Sequence, residues 1–134
     1  MILVDTNVLV DILEDDPEWA EWSLSQLYDQ SKIHRPVINS IIYAELSLTF
    51  STHEALDEVI GEMHLDVVDI PRQALFLAGK AFAQYRRRGG QKQNVLADFF
   101  IGAHAAVSQY PILTRDSRRY RSYFPRLKII DPDR

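Results

Sequence analysis

The sequence predicts an α/β domain of three layers, with helices on both faces of a central parallel sheet of four to five strands. Three observations lead there. Short apolar runs of strand length alternate with longer segments whose apolar residues recur at helical spacing. A helix separates each run from the next, an arrangement that demands parallel pairing with right-handed crossovers. At 134 residues, without linker, repeat or low-complexity tract, the chain supports one core and one domain, 1–134.

MILV forms a short buried strand that ends at Asp5. TNVLVDILEDD then carries Val8, Leu9, Ile12 and Leu13 at helical spacing. Pro17 suits the first turn of a second helix through about Asp29, with Ala20, Leu24, Leu27 and Tyr28 as its apolar stripe. RPVIN, Arg35 to Asn39, is a second buried strand, and Asn39 or Ser40 caps the helix IIYAELSLTF. Thr52 caps the next helix, which has Leu56, Val59, Ile60 and Met63 on one face and Glu54 and Asp57 near its positive end. LDVVDI is the third strand. Pro71 stops it and opens a long helix with Leu75, Ala78, Phe82 and Tyr85 on one side. RRRGGQKQN, Arg86 to Asn94, is a loop marked by its glycine pair. VLADFFIGAHAAV is apolar on nearly every face and is therefore a central helix. YPILT is the fourth strand and LKIID the fifth.

A hydrophobic fraction of 46% with 25% charged residues is that of a chain able to bury a core. The absence of cysteine excludes disulfides, thiolate nucleophiles and zinc–thiolate sites, and fits a reducing cytoplasm. The N-terminus lacks the basic start and cleavage site of a secretory signal, and no apolar run nears the roughly 20 residues of a membrane span. The expected location is cytoplasmic, with no membrane partner. Charge is unevenly distributed. Residues 1–71 hold fifteen acids against Lys32 and Arg35, a net −13, while residues 72–134 hold thirteen bases against four acids, a net +9. That polarity suits a basic region that meets phosphate, and equally suits two halves that neutralise each other.

In parallel α/β sheets ligands collect outside the carboxyl ends of the strands. Asp5 directly follows the first strand and Asp116 lies two residues beyond the fourth. Glu45 is the only charged residue between Ile41 and Phe50, and Asp98 opens the most apolar helix. A carboxylate buried alone is costly, so repeated acids on core-facing segments need a compensating cation. Four acids without cysteine or a histidine cluster form an oxygen-only set, suited to Mg2+ or Mn2+ and to phosphodiester hydrolysis. Thr6, Asn7 and Thr114 stand beside the acids as groups that orient them, or as caps and turn residues. Arg86, Arg87, Arg88, Arg115, Arg118 and Arg119 are candidate nucleic-acid phosphate contacts, with Tyr120 and Tyr123 available to stack on unpaired bases. Individually, each arginine reads equally well as a solvated surface residue. His104 reads as a satisfied core histidine, and Trp19 and Trp22 as packing residues of the domain or of a dimer surface.

The segments VDTNVLVDIL, YAEL, LADFFIGAHA and ILTRD occur in the order and spacing of the PIN-domain family, and the chain most resembles its VapC-type toxins. The likeness runs from Met1 to about Asp131, and it departs from many relatives in the bulky Phe99 and Phe100 after the third acid. The resemblance implies a PIN-like α/β/α domain that acts as a Mg2+- or Mn2+-dependent endoribonuclease. It implies that Asp5, Asp98 and Asp116 bind metal and that Glu45 completes the catalytic four. It also implies a homodimer inhibited by a VapB-type antitoxin whose other end binds DNA. Two competing functions remain. A phosphoryl-transfer domain would want a second acid two residues after the first strand's aspartate, where this chain has Asn7. A non-catalytic nucleic-acid-binding module would retain RNA without cleaving it.

Overall fold

Five short strands, all parallel, lie in the order β3-β2-β1-β4-β5 in the computed structural model, which describes residues 1–92 and 95–132. The strands are β1 (Ile2–Val4), β2 (Pro36–Asn39), β3 (Asp66–Val68), β4 (Ile112–Leu113) and β5 (Ile129–Ile130). The helices that flank them are α1 (Thr6–Leu13), α2 (Ala20–Ser31), α3 (Ser40–Leu46), α4 (His53–Glu62), α5 (Arg72–Arg87), α6 (Leu96–Ser108) and α7 (Arg118–Tyr123). Strands β1, β2 and β4 are buried along their length, as their unbroken apolar runs predict, whereas β3 and β5 form the partly exposed edges. The sheet's order reverses at β1, which pairs with β2 on one side and β4 on the other. Such a reversal opens a crevice at the strands' carboxyl ends.

The caps follow expectation at two helices. The Asn39 side chain accepts the N–H groups of Ile41 and Ile42 at the start of α3, and Thr52 accepts that of Ala55 in α4. Helix α3 ends at Leu46 and passes into a tight turn, Ser47–Thr49, short of the predicted Phe50. The hydroxyls of Ser47 and Thr49 bond back to the carbonyls of Ala44 and Leu46 there, competing with helix continuation.

Two helix faces differ from expectation. Helix α2 begins at Ala20, because the Asp16 side chain holds Glu18 and Trp19 N–H in a preceding turn. Its inward residues are Ser23 and Leu27, while Leu24 and Tyr28 are exposed. Ser23 turns inward because its hydroxyl donates to the buried Asp11 at 3.0 Å. Helix α5 buries Ala74, Ala78 and Ala81 and packs against α6, with Phe82 and Tyr85 against Phe99, and it leaves Leu75 exposed. The predicted loop from Arg86 begins two residues late, since α5 runs to Arg87, and its last residues lie outside those described.

Helix α6 is the central helix foreseen, with Phe99, Ile101, Gly102, Ala103, His104 and Ala105 buried. Gly102 has a specific task. A Cβ there would lie 2.5 Å from the Phe124 ring and 2.9 Å from that of Tyr120, so only glycine lets α7 and its following turn seat this closely on α6. His104 is the satisfied core histidine predicted, with Nδ1 3.0 Å from Asn39 Nδ2. Burial lowers its pKa, which keeps the ring neutral and able to accept that bond.

Candidate active site

The pairing of Val4 with Leu113 places the next residue of each strand, Asp5 and Thr114, side by side above the sheet. Asp5 caps α1 with Oδ1, which accepts the Thr6 N–H at 2.8 Å. Its Oδ2 accepts two hydroxyls, from Thr114 at 2.8 Å and from Tyr120 at 2.9 Å. Asn7 completes the frame, with Nδ2 donating to Thr114 Oγ1 at 3.2 Å and Oδ1 accepting the Arg115 N–H at 3.1 Å. Asp5 is only 5% exposed, and burial raises its pKa to about 6. The Thr114 and Tyr120 hydroxyls oppose that rise and the nearby charge of Asp98 adds to it.

The other three acids reach the same place from different elements. Glu45, on α3, accepts the Thr6 hydroxyl, and its pKa is raised by burial and further by Asp98. Asp98, in the first turn of α6, pairs with Arg119 Nη1 at 2.8 Å. Burial raises Asp98, Arg119 opposes, and Asp116 adds a like-charge push. Asp116, beyond β4, is the most exposed of the four and meets Arg118 Nε at 3.4 Å. All four acids line one cleft of about 660 Å3, with Lys92, Arg115, Arg118 and Arg119 also in its wall.

A divalent ion suits this donor set. Asp5, Glu45 and Asp98 are each destabilised by burial and then by a neighbouring carboxylate, so the cleft stores like charge that a cation would relieve. The donors are oxygens, as hard ions require. Among the described residues no three acidic or histidine side chains stand together around a single point, and the cation beside Asp98 is the Arg119 guanidinium. Metal entry would therefore involve a local shift of Arg119 and of carboxylate rotamers.

Of the predicted orienting residues, all three touch the acids: Thr6 bonds Asp5 and Glu45, while Thr114 and Asn7 brace Asp5. The arginines divide. Arg118 is largely exposed at the cleft, and Arg119 is held on Asp98. Arg115, about a third exposed at the cleft wall, makes two hydrogen bonds to Asp11, at 2.8 and 2.9 Å, with its guanidinium over the Trp19 ring. Arg86 and Arg88 lie over the rings of Phe82 and Tyr123, and Arg87 is exposed at the end of α5; none of the three lines the cleft.

Tyr120 departs from expectation, being 2% exposed and so unable to stack on a base. Burial, then the charge of Asp5, raises its pKa well above that of a free phenol, so the hydroxyl remains a donor. The sequence pattern shows Tyr120 only as one aromatic in a basic run. Tyr123 stays partly exposed, edge-on to Phe99, and lines the cleft. Asp11 and Lys92 were also not foreseen. Asp11 carried the same signal as Glu45 and Asp98, an acid within an apolar helical stripe, and it is 1% exposed. Trp19 and Trp22 pack edge to face, as a packing role predicts.

The family model described as PIN domain matches residues 2–125. No curated protein sequence matches the chain. Solved structures of like fold include VapBC2 from Rickettsia felis bound to a DNA fragment from their promoter, at 22% identity and TM-score 0.75, covering 99% of this chain and 100% of that one. FitAcB from Neisseria gonorrhoeae aligns at 21% identity and TM-score 0.72, covering 98% of each chain. VapBC-1 from nontypeable Haemophilus influenzae aligns at 20% identity and TM-score 0.73, again covering 98% of each. At these identities the likeness establishes a shared fold.

Proposed function

Because this chain belongs to the PIN-domain family, we propose that it is a Mg2+- or Mn2+-dependent endoribonuclease and the toxin of a VapBC-like toxin–antitoxin pair. One observation carries the reading: four carboxylates from four separate elements meet in one cleft whose wall also holds the cationic side chains of Lys92, Arg118 and Arg119. Acids alone would repel an RNA backbone, and cations alone would bind it without cutting. Together they suit an anionic substrate delivered to a metal-dependent centre.

Asp5, Asp98 and Asp116 would hold the ion, with Glu45 beside them. When bound, such an ion activates water and neutralises charge on phosphate oxygens. The chain's own groups do the rest. Thr114 and Tyr120 fix one oxygen of Asp5, and Thr6 ties its other oxygen to Glu45. Arg118 and Lys92 attract the backbone at the cleft, and the edge of Tyr123 offers a surface for an unpaired base. Arg119, displaced from Asp98, would remain within reach of an incoming phosphate.

Among the solved structures of like fold, one is described as a toxin–antitoxin complex from Klebsiella pneumoniae, and VapBC2 is bound to a DNA fragment from their promoter. This supports a VapB-type antitoxin as partner here, and the resemblance to VapC-type toxins further implies DNA binding through that antitoxin and a homodimer as the working form. No helix among the described residues is long and apolar enough to cross a membrane, which accords with a cytoplasmic site of action. The test is incubation with total RNA and a divalent ion, followed by mapping of new ends. Discrete internal cleavages are expected, and RNA that is retained but uncut under every divalent ion would instead support a non-catalytic binding module.

A further inference from the structure

We infer that Arg115 is a positioning residue, held by buried Asp11, that fixes the Thr114–Asp116 segment against the acid cluster, and that it is not a contact for the RNA backbone. Arg115 lies between the residue that donates to Asp5 and the fourth acid of the cleft. Its side chain turns the other way. Nε and Nη2 reach Asp11 Oδ2 and Oδ1 at 2.8 and 2.9 Å, a two-point contact that only a guanidinium fork matches. Asp11 is 1% exposed, and the Ser23 hydroxyl of α2 donates to it at 3.0 Å. The Trp19 ring covers the guanidinium at 5.6 Å.

The backbone of the same residue is also tied, since its N–H donates to Asn7 Oδ1 at 3.1 Å. Arg115 is thereby anchored to α1 at two points, one in each of the first two turns, and through Asp11 to α2. The Thr114 hydroxyl stands 2.8 Å from Asp5, directly before a residue tied at both backbone and side chain. An arginine with this set of partners has little freedom to meet phosphate.

The inference rests on the nuclease reading for its catalytic consequence, but its main readouts do not. Arg115→Lys keeps the charge and loses the two-point contact, and Asp11→Asn removes the anchor from a residue that does not line the cleft. Each variant and the pair would be compared with the wild type for Mn2+ affinity without RNA, for RNA affinity in chelator, and for kcat and KM. Loss of a group that orients metal ligands lowers metal affinity by about 10- to 100-fold. The expected result is a loss of roughly that size in Mn2+ affinity and kcat for either variant, an unchanged RNA dissociation constant, and a double variant no worse than the worse single one. A wild type that binds Mn2+ but cuts no RNA would sink the nuclease reading while the Mn2+ comparison still decides this one. Unchanged Mn2+ affinity in folded Arg115→Lys would overturn the inference, as would weaker RNA binding in Arg115→Lys accompanied by equal or tighter binding in Asp11→Asn. Should Asp11→Asn fail to fold, Ser23→Ala loosens the same anchor more mildly and carries the same expectation in smaller degree.

Discussion

Asp5→Asn replaces a buried carboxylate by a neutral group of the same shape, and its effect on stability should reverse with pH. In the folded protein the Asp5 carboxyl titrates near 6 and in the unfolded chain near its ordinary value of 3.8, the difference arising chiefly from burial. Below about pH 4 both states are protonated and burial carries no ionic penalty. As pH rises from about 4 to 6 the unfolded chain loses its proton first, so the fold is progressively destabilised. Above that range the penalty is complete, at about 3 kcal/mol for roughly two pKa units. Asparagine does not ionise and escapes this loss. It has its own pH-independent cost: with its oxygen turned to Thr114 and Tyr120, its amide faces the Thr6 N–H, a donor conflict of about 1–3 kcal/mol. The variant should therefore be the less stable protein at pH 4 and the equal or more stable one at pH 7.5. Urea unfolding followed by tryptophan fluorescence, in chelator throughout, measures the difference. A stability difference that stays flat across that range would refute the claim that Asp5 is a desolvated carboxylate held against its own ionisation.

Gly102→Ala would drive a methyl into the rings of Phe124 and Tyr120 and should destabilise the fold by about 1–3 kcal/mol in urea titrations, with α7 loosened first in amide exchange. Tyr120→Phe keeps the packed ring and removes only the hydroxyl on Asp5; RNA cleavage should fall about 10- to 100-fold, and urea titrations should show a loss of about 1–3 kcal/mol because the buried carboxylate keeps one donor fewer. Arg118→Ala, at a side chain that is 91% exposed, should leave stability unchanged, weaken RNA binding and reduce the slope of log affinity against log salt by about one.

What could be read in advance divides along the line between local and non-local physics. Strands β1, β2 and β4 and helix α6 were legible because full burial leaves unbroken apolar runs in the chain itself. The meeting of Asp5, Glu45, Asp98 and Asp116 was legible for the complementary reason, since an acid at a strand end or alone on an apolar helix displays its cost locally. Partner choice leaves no such mark. Arg115 and Arg118 look alike in sequence, yet one is anchored in a buried pair 104 residues away and the other faces solvent. The inward face of α2 departs from its apolar stripe for the same cause, because Ser23 turns in to meet Asp11, which also takes Arg115. Tyr120 needed both the register of β4 and the glycine on α6 before its hydroxyl could reach Asp5.

At Asp98 the acid set, the metal reading and the Arg119 contact coincide. Titrating Mn2+ into wild-type protein and Asp98→Asn, with a single-stranded RNA present and cleavage followed at each ion concentration, tests all three together. Cleavage should rise with Mn2+ in the wild type, vanish on chelation and be absent in the folded variant. Cleavage by the wild type that persists in chelator, or that survives in Asp98→Asn, would contradict the account.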